Sequence, residues 1–482
     1  MRRMPTWLLS VCVATCVIGC AAPTSQPTVT PPAAAPASAQ TALLVPFEKV
    51  VLDNGATLML ARKADVPLVA LSARLRGGAL DDSPEQFGLA SITADLLEKG
   101  AAGRDARVFS EAVADVGGSI SSFGGLESSF ISAGFLAEDT DLMIDLVLDM
   151  LMTPQLPKLE FEKLQTRSIE SLKAARDGDP RGLVGLYGAA YLFGDHAYGR
   201  AVGGLEGTLA TLTHQDVIDH HRDHYGADRL ILSVVGDIDI GRVRARLEAR
   251  LKPWPRAKSP LPSVAAKAPV AGGKVLLIDK PDATQSYFWM GNVGVSERFA
   301  QRAELNVANT IFGGRFTSML NTALRVESGL TYGANSRLSQ GTQPGSVRIS
   351  SFTATATTIE AMDLARATLT RLHTETPSDA LVLSAKNYLR GQTPLSYETA
   401  EQMAASLSSL AFYDRERAYV DGYDAAVAAV DAKGLAEVIR TVYPTSDELV
   451  TVVIGKADAI RDDLARYGVV EEMSVKEPAF AP

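Results

Sequence analysis

The sequence predicts an α+β protein of two tandem domains with a similar build, and three observations support this. Near the end of each half, a tyrosine (Tyr225 or Tyr443) precedes a turn and an apolar strand that ends in glycine (Gly236 or Gly455). A proline cluster in residues 253–272 is typical of a linker. Strands in hairpin-like order are mixed with amphipathic helices, which favours helices packed on one face of a mostly antiparallel sheet.

Alternating or continuous apolar residues place the individual elements. Predicted strands are a hairpin within 50–60 around Asn54-Gly55, then Leu68–Arg76, Ser119–Phe123, Ser129–Phe135, Leu230–Gly236 and Leu449–Gly455. Predicted helices are Ala106–Val116, one from Asp139 or Thr140 to before Pro154, Glu160–Ala175, Ile240–Leu251 and Ala457–Tyr467. The predicted domains are therefore 47–252 and 273–470, with a linker at 253–272 and a tail at 471–482.

The composition excludes several classes of protein. The chain has 482 residues, a net charge of -9 and 46% hydrophobic residues, which is ordinary for a globular protein and argues against a nucleic-acid partner. All three cysteines, Cys12, Cys16 and Cys20, lie near the N-terminus. The rest of the chain therefore has no thiol for a disulfide, a thiolate zinc site or a cysteine nucleophile.

Residues 1–19 have the features of a signal peptide: Arg2 and Arg3, a short apolar core, and then Val17-Ile18-Gly19-Cys20. This end resembles a bacterial lipobox, which implies lipid on Cys20; ordinary signal cleavage beside an incidental cysteine is the alternative. Residues 20–46, rich in Ala, Pro and Thr, are expected to form a disordered tether. The expected location is the cell envelope, as a periplasm-facing lipoprotein, with the outer membrane favoured because no aspartate follows Cys20.

One further helix is predicted in the stretch Gly88–Gly100. Its residues Leu89, Ile92, Leu96 and Leu97 fall at helical spacing, and Gly100 is expected to cap its C-terminus. The stretch resembles the metal-binding helix of the insulinase/pitrilysin peptidases, inverted zincins in which it reads G-L-A-H-x-x-E-H and supplies two zinc ligands and a general base.

Here the three chemical positions of that motif are Ser91, Ala94 and Asp95. The resemblance thus implies the family's scaffold without its own catalytic residues or metal. The third zinc ligand of the family is a glutamate whose expected place is near Glu170, which we interpret as a solvated helix carboxylate. The polar strand with Ser121, Ser122 and Phe123 is expected to pair with an extended peptide.

A second motif spans Ile311–Gly333 and includes Phe312-Gly313-Gly314 and Leu324-Arg325. It resembles the family's second-domain signature, L-G-G…S-x-L…L-R-x-x-x-G-L-x-Y. In active members the arginine and tyrosine of this signature bind the substrate carbonyl at the zinc. The resemblance implies this role for Arg325 and Tyr332; the alternative is a salt-bridged arginine and a packing tyrosine.

The histidine-rich stretch His220–His224 offers an alternative metal site. His220 and His224 lie four residues apart with Asp223 before the second, which superficially resembles a zinc motif. We interpret these residues as part of a polar helix face.

Three functions follow from these patterns. The preferred one is a non-catalytic subunit that pairs with a zinc-bearing H-x-x-E-H partner, resembling the second chain of bacterial heterodimers and of mitochondrial processing peptidase. It would form half of a clam-shell chamber and bind peptide or unfolded polypeptide through Arg325 and Tyr332. The alternatives are a structural or peptide-binding lipoprotein without a proteolytic role, and an autonomous metallopeptidase with zinc at His220 and His224.

Overall fold

A computed structural model describes residues 42–482. The predicted signal peptide, Cys20 and most of the predicted tether lie outside these residues. Within 42–482, no helix combines the length and the apolar character needed to cross a bilayer.

Two six-stranded mixed sheets form the framework of the described chain. Their strands and the small β4–β5 pair are β1 Phe47–Val51, β2 Thr57–Arg62, β3 Leu68–Arg76, β4 Gly100–Ala101, β5 Arg104–Asp105, β6 Ser119–Gly124, β7 Ser128–Leu136, β8 Leu230–Gly236, β9 Lys274–Asp279, β10 Gln285–Val293, β11 Ala334–Ser339, β12 Ser346–Ala354, β13 Val450–Gly455 and β14 Val469–Ser474. The orders are β1-β2-β8-β3-β7-β6 and β11-β12-β10-β13-β9-β14. All pairs are antiparallel except β2–β8, β9–β13 and β9–β14.

Helices follow and separate these strands in both halves. They are α1 Leu89–Leu96, α2 Ala106–Ala114, α3 Thr140–Met152, α4 Lys158–Asp177, α5 Val184–Phe193, α6 Glu206–Thr211, α7 His214–His224, α8 Ile240–Leu251, α9 Arg302–Phe312, α10 Met319–Asn321, α11 Thr358–Thr374, α12 Asp379–Gln392, α13 Ala400–Phe412, α14 Ala418–Asp421, α15 Tyr423–Ala429, α16 Ala432–Val442 and α17 Ala457–Leu464. Local signals start several of them; Asp105, for example, accepts the Val108 N–H at the start of α2 over 2.8 Å.

Each sheet packs its own domain's helices on one face and a helix of the other half on the opposite face. Helix α13 packs on β3 and β8 of the first sheet, and α5 packs on β10 and β13 of the second. This explains why β8 and β13 are buried along their whole length. In β8, Leu232 and Val234 join the core of the first domain, while Ile231 and Val235 pack with α13. Each half therefore contributes one helix to the hydrophobic packing of the other half's sheet.

The ends of both domains differ from the sequence prediction. Leu44 is 1% exposed and packs in the α13 core, and Asp421 accepts the Leu43 and Leu44 N–H groups. Residues 42–46 are thus docked rather than a free tether, because Leu43-Leu44 supplies apolar surface. At the other end β14 runs to Ser474 and Phe480 is buried against Tyr187, so the boundary predicted at residue 470 falls inside a strand.

Gly100 was expected to cap α1, and this is wrong. The helix ends at Leu96, and Gly100 instead begins β4 with a φ of +111°, paired with Asp105. An added Cβ at Gly100 would lie 2.5 Å from the Arg104 carbonyl oxygen, so glycine is required by this tight turn between β4 and β5.

Candidate functional site

Helix α1, which carries the degenerate metal motif, is held at its N-terminus by Asp82. The buried Asp82 carboxylate accepts the N–H groups of Gly88 and Ala90 over 3.0 and 2.9 Å. Burial raises the pKa of Asp82 to about 7, and these two hydrogen bonds oppose the shift. Gly88 has a φ of +99° and lies so close to Gly204 that a side chain at position 88 would clash. The helix is therefore fixed in place from its first turn.

Of the three motif positions of α1, Ser91 contacts the edge strand β6, Ala94 is buried, and Asp95 is partly buried. Ala94 is completely buried, and its carbonyl oxygen accepts a hydrogen bond from the Ser122 hydroxyl. An added Cβ at Gly124 of β6 would lie 2.6 Å from the Ser91 Cα, so helix and strand are in direct contact. Burial raises the pKa of Asp95 to about 6, and the neighbouring Glu98 carboxylate acts in the same direction.

These residues do not fit a zinc ion. Zinc needs three or more protein ligands, usually imidazole, thiolate or carboxylate groups, around one point. Ser91 offers a hydroxyl, Ala94 only a methyl group, and Asp95 one carboxylate. Across residues 42–482, no three or more His, Cys, Asp or Glu side chains are grouped so that they could hold a metal ion.

Glu170, at the expected place of a third ligand, lies on α4, which packs against α1. Its side chain is 64% exposed and forms an ion pair with Lys173 at 3.1 Å. On the same helix, the positive charge of Arg167 partly opposes the rise in the pKa of Asp95 that burial and Glu98 cause. Helix α4 thus packs against α1, but the Glu170 carboxylate points into solvent.

The histidine-rich stretch forms helix α7, which packs against α1. The rings of His220 and His224 stack with their centroids 4.6 Å apart, and His224 approaches Asp81, which is also paired with the buried Arg229. Burial, followed by the effect of His224, lowers the pKa of His220 to about 3. His220 is therefore buried where α7 packs on its neighbouring helices, and His224 pairs with Asp81 instead of joining a metal site.

Asp223 does not converge with the two histidines. It pairs with Arg222 and, at 3.5 Å, with Lys258 on the surface, and the hydrogen bond from Arg222 lowers the pKa of Asp223 to about 2. The grouping of His220, Asp223 and His224 expected for an autonomous site does not form.

The edge strand β6 presents its three predicted substrate residues in different ways. Ser121 is exposed, and Phe123 is 50% exposed and stacks on Phe130 of β7 with ring centroids 4.8 Å apart. Ser122 is buried; its hydroxyl donates to Ala94 and its backbone N–H to the Glu98 carboxylate. The contact with Glu98 had no signal in the sequence, because it depends on how α1 and β6 pack.

Arg325 and Tyr332, the second predicted pair, lie on either side of Gly329 in the second domain. Arg325 is exposed in a π-helical turn, Thr322–Glu327, and its guanidinium lies 4.7 Å from the centre of the Phe316 ring. Tyr332 is 80% exposed. Within residues 42–482 the structure describes no hydrogen bond or ion pair for either side chain.

The backbone beside this pair is well anchored. Thr331 is buried, and the Ser351 hydroxyl donates to the Gly333 carbonyl over 3.0 Å and lies 3.3 Å from the Thr331 hydroxyl. Thr353 donates to the Leu330 carbonyl over 2.7 Å. The segment therefore projects Tyr332 outward from a fixed base on strand β12.

A cavity of about 480 Å³ lies next to the pair. Phe316 and Gly333 contribute to its walls, as do Arg181, Tyr287 and Phe352. The Arg181 guanidinium lies 4.5 Å from the centre of the Phe352 ring. This cavity could not be predicted from local sequence patterns, because its walls come from the start of α5 and the turn before it, from strands β10, β11 and β12, and from the glycine-rich motif.

The chain resembles known proteins along most of its length. Residues 59–181 match the family described as insulinase (peptidase family M16), and residues 211–389 match the peptidase M16 inactive domain. An uncharacterized zinc protease of Mycobacterium leprae is 26% identical over 334 residues, which cover 68% of this chain and 74% of that protein. One of Streptomyces coelicolor is 26% identical over 370 residues, which cover 76% of this chain and 80% of that protein.

Solved structures share the fold. A peptidase M16 inactive domain from Pseudomonas fluorescens superposes with a TM-score of 0.80 at 18% identity, covering 85% of this chain and 98% of that one. A protease from Helicobacter pylori gives a TM-score of 0.78 at 16% identity, covering 86% and 100%. The predicted α+β architecture of two tandem domains is confirmed. Taken together, the two matched domains and the shared fold show that this chain belongs to the insulinase family, peptidase family M16.

Proposed function

We propose that this chain is the non-catalytic subunit of a metalloendopeptidase complex. It pairs with a second M16 chain that carries H-x-x-E-H, and the two together enclose peptide or unfolded polypeptide in a chamber. Ser91, Ala94 and Asp95 support the first half of this proposal, because they cannot replace two imidazoles and a catalytic glutamate. The zinc and the general base then belong to the partner.

The observation that carries the proposal is the exposure of Arg325 and Tyr332. A tyrosine that is 80% exposed buries little apolar surface, and the fold gains little stability from it. Its anchored backbone nevertheless holds it at a fixed place near Arg325. A pair that is held in place but forms no hydrogen bond or ion pair among the described residues fits a role toward a bound molecule.

The chemistry of this pair suits peptide hydrolysis. A guanidinium and a phenol are both hydrogen-bond donors, and both can bind a carbonyl oxygen as it becomes an oxyanion. Zinc in the partner would polarise the carbonyl and activate water. Arg325 and Tyr332 would hold the same oxygen from the opposite side and orient the scissile bond.

Strand β6 supplies a place for the substrate backbone. It is the last strand of its sheet, and edge strands can pair with an extended peptide. Ser121 and Phe123 are accessible there, whereas the Ser122 N–H is already bound by Glu98. A peptide on this edge would contact the side chains of Ser121 and Phe123 and would lie beside helix α1.

We further propose that lipid on Cys20 holds this subunit in the cell envelope, at the periplasmic side of the outer membrane. The lipobox-like sequence that precedes Cys20 supports this. A Cys20→Ser variant is expected to leave the membrane fraction for the soluble periplasmic fraction. Unchanged membrane association would refute the anchor and leave the peptidase proposal untouched.

The experiment that tests the main proposal compares the chain alone with the chain purified from its native envelope. Elemental mass spectrometry and hydrolysis of a quenched-fluorescent unfolded polypeptide are measured for both. Alone, the chain is expected to hold far less than one zinc and to be inactive; from the envelope, it is expected to co-purify with an H-x-x-E-H chain and show chelator-sensitive hydrolysis. Chelator-sensitive hydrolysis by the chain alone would overturn the proposal.

A further inference from the structure

A second cavity, of about 260 Å³, lies where the two sheets approach each other. We call it the intersheet cavity. Its walls include Arg74 of β3 and Phe130 of β7 from the first sheet, Arg348 of β12 from the second, and Phe412 and Tyr413 at the end of α13. It is thus built from both halves of the chain and is distinct from the cavity beside Arg325 and Tyr332.

Arg74 is a largely buried cation without a carboxylate partner. Its guanidinium lies 4.7 Å from the centre of the Phe130 ring and 5.3 Å from that of Phe412. No ion pair involving Arg74 is described in residues 42–482. Burial lowers the pKa of Arg74, and the neighbouring Tyr413 hydroxyl opposes this shift only in part. Aromatic rings and the more distant Glu127 and Glu297 carboxylates therefore favour the charged form, but no carboxylate pairs directly with Arg74 among the described residues.

Arg348 of β12 is a second arginine in the wall of the intersheet cavity, and it comes from the second sheet. It lies directly across from Arg337 of β11 in the antiparallel register. Like charges opposite each other in a sheet are unfavourable. Burial, and then the charge of Arg337, lowers the pKa of Arg348, and the described residues include no ion pair for it.

The one carboxylate among the described wall residues is Glu127, and it is already engaged. It accepts hydrogen bonds from the Tyr198 hydroxyl over 2.6 Å and from the Thr342 N–H over 3.0 Å, and the Thr342 hydroxyl also donates to it. These bonds tie the β11–β12 loop to the first domain. The cavity therefore carries a net positive charge in a chain whose net charge is -9.

From these contacts we propose that the intersheet cavity binds a carboxylate of a bound peptide, held between Arg74 and Arg348. A guanidinium matches a carboxylate with two parallel hydrogen bonds. The rings of Phe130, Phe412 and Tyr413 offer apolar contact to the chain that carries the carboxylate. The proposal takes its ligand class from the proposed function, but it needs neither zinc nor a partner subunit.

The cavity also adjoins the edge strand. Phe123 of β6 stacks on Phe130, which in turn contacts Arg74. A peptide that lies along β6 and ends or turns at Phe123 would place an acidic group next to Arg74. The carboxylate can come from an Asp or Glu side chain or from the peptide's C-terminus.

The test measures binding of four rhodamine-labelled ten-residue peptides to the purified chain by fluorescence anisotropy. They share one neutral alanine- and tyrosine-based sequence and differ in a free or amidated C-terminus and in an internal Glu or Gln. We expect each Arg74→Gln or Arg348→Gln change to weaken binding of the carboxylate-bearing peptide about tenfold. If the Gln variants lose affinity only for the peptide with a free C-terminus, the C-terminal carboxylate is the ligand. If they lose affinity only for the Glu peptide, the ligand is the side-chain carboxylate.

Arg461→Gln is the matched control, because Arg461 pairs with Glu472 on the surface of the second domain. It should leave all four affinities unchanged. Arg348→Lys keeps the charge without the guanidinium fork and should restore part of the affinity, which a folding defect would not allow. Equal affinity for charged and uncharged peptides, or equal binding by wild type and both Gln variants, would overturn the proposal. Neither result would affect the proposal for Arg325 and Tyr332.

Discussion

The degenerate metal helix and the Arg325–Tyr332 segment differ in how their side chains are used. In the first region, Ala94 is buried, and Ser122 binds to it across the contact between α1 and β6. In the second region, the backbone is anchored while Arg325 and Tyr332 extend into solvent. The first region has become part of the domain's internal packing, whereas the second keeps its donors available for another molecule. Substitutions should therefore affect stability in the first region and activity in the second.

The largest effect is expected at Arg325 and Tyr332. In the proposed complex with a zinc-bearing partner, Arg325→Ala or Tyr332→Phe should lower kcat/KM about a hundredfold, because on the proposed mechanism each change removes a donor to the oxyanion. Zinc content should stay constant, and the free energy of unfolding should change by less than about 0.5 kcal/mol, as is usual for exposed residues. Steady-state kinetics and urea unfolding check both statements. If the variants lose stability as well as activity, Arg325 and Tyr332 have a structural role in packing instead.

At Asp82 the expected effect is on stability. Asp82→Ala leaves the N–H groups of Gly88 and Ala90 without their acceptor in a buried site, so the free energy of unfolding should fall by about 2 kcal/mol. Asp82→Asn keeps one acceptor oxygen and should lose less. Urea unfolding at pH 7 measures both variants. An alanine variant as stable as wild type would show that α1 does not depend on this cap.

The protonation of Asp95 should make the free energy of unfolding depend on pH. Its pKa in the folded chain, about 6, is above its ordinary value of 3.8. Between these values the folded state binds more protons than the unfolded state, so stability falls as pH rises from about 4 to about 6 and levels off above that. After allowance for partial exposure, we expect a decline of about 1 kcal/mol.

The Asp95→Asn variant separates the contribution of Asp95 from that of Asp82. The pKa of Asp82 is about 7, so its contribution to the free energy of unfolding changes up to a higher pH. The difference in unfolding free energy between wild type and the Asn variant should change between pH 4 and pH 6. A difference that is constant over this range would mean that the Asp95 carboxyl is freely solvated.

The smallest effect is expected on β6. Ser122→Ala removes the hydrogen bond to the Ala94 carbonyl and should lower the free energy of unfolding by about 1 kcal/mol. Ser121→Ala, one residue earlier and exposed, is the matched control and should change it by less than about 0.5 kcal/mol. Equal effects at the two positions would show that the contact between α1 and β6 adds nothing measurable.

Regular elements with a strong local pattern could be predicted from the sequence. Strand β3 spans Leu68–Arg76 and helix α8 spans Ile240–Leu251, both as predicted, because their apolar periodicity determines which face is buried. Helix α4 begins two residues earlier and ends two residues later than predicted. The resemblance to the family signature predicts a substrate-binding role for Arg325 and Tyr332, and this role stays a prediction.

Contacts between distant elements could not be predicted in the same way. Asp82 caps α1 from six residues upstream of Gly88, and Glu98 binds the Ser122 backbone; neither follows from local propensity. Gly100 follows a helix and so resembled a cap, but it pairs with Asp105 in strand β4, where the Arg104 carbonyl oxygen leaves no room for a side chain. Helix α5 is apolar on all sides, a composition that indicates full burial but does not identify what covers it.

The crossing of α5 and α13 between the two halves has a mechanical consequence. Pulling the halves apart would strip an apolar face from each sheet, including Trp289 on one and Met59 on the other. Neither half should fold when expressed by itself, and the chain should move as one rigid piece. If this chain and a partner form the proposed chamber, the motion that opens the chamber should therefore lie between the two subunits, and the rate of opening should depend on the strength of their association.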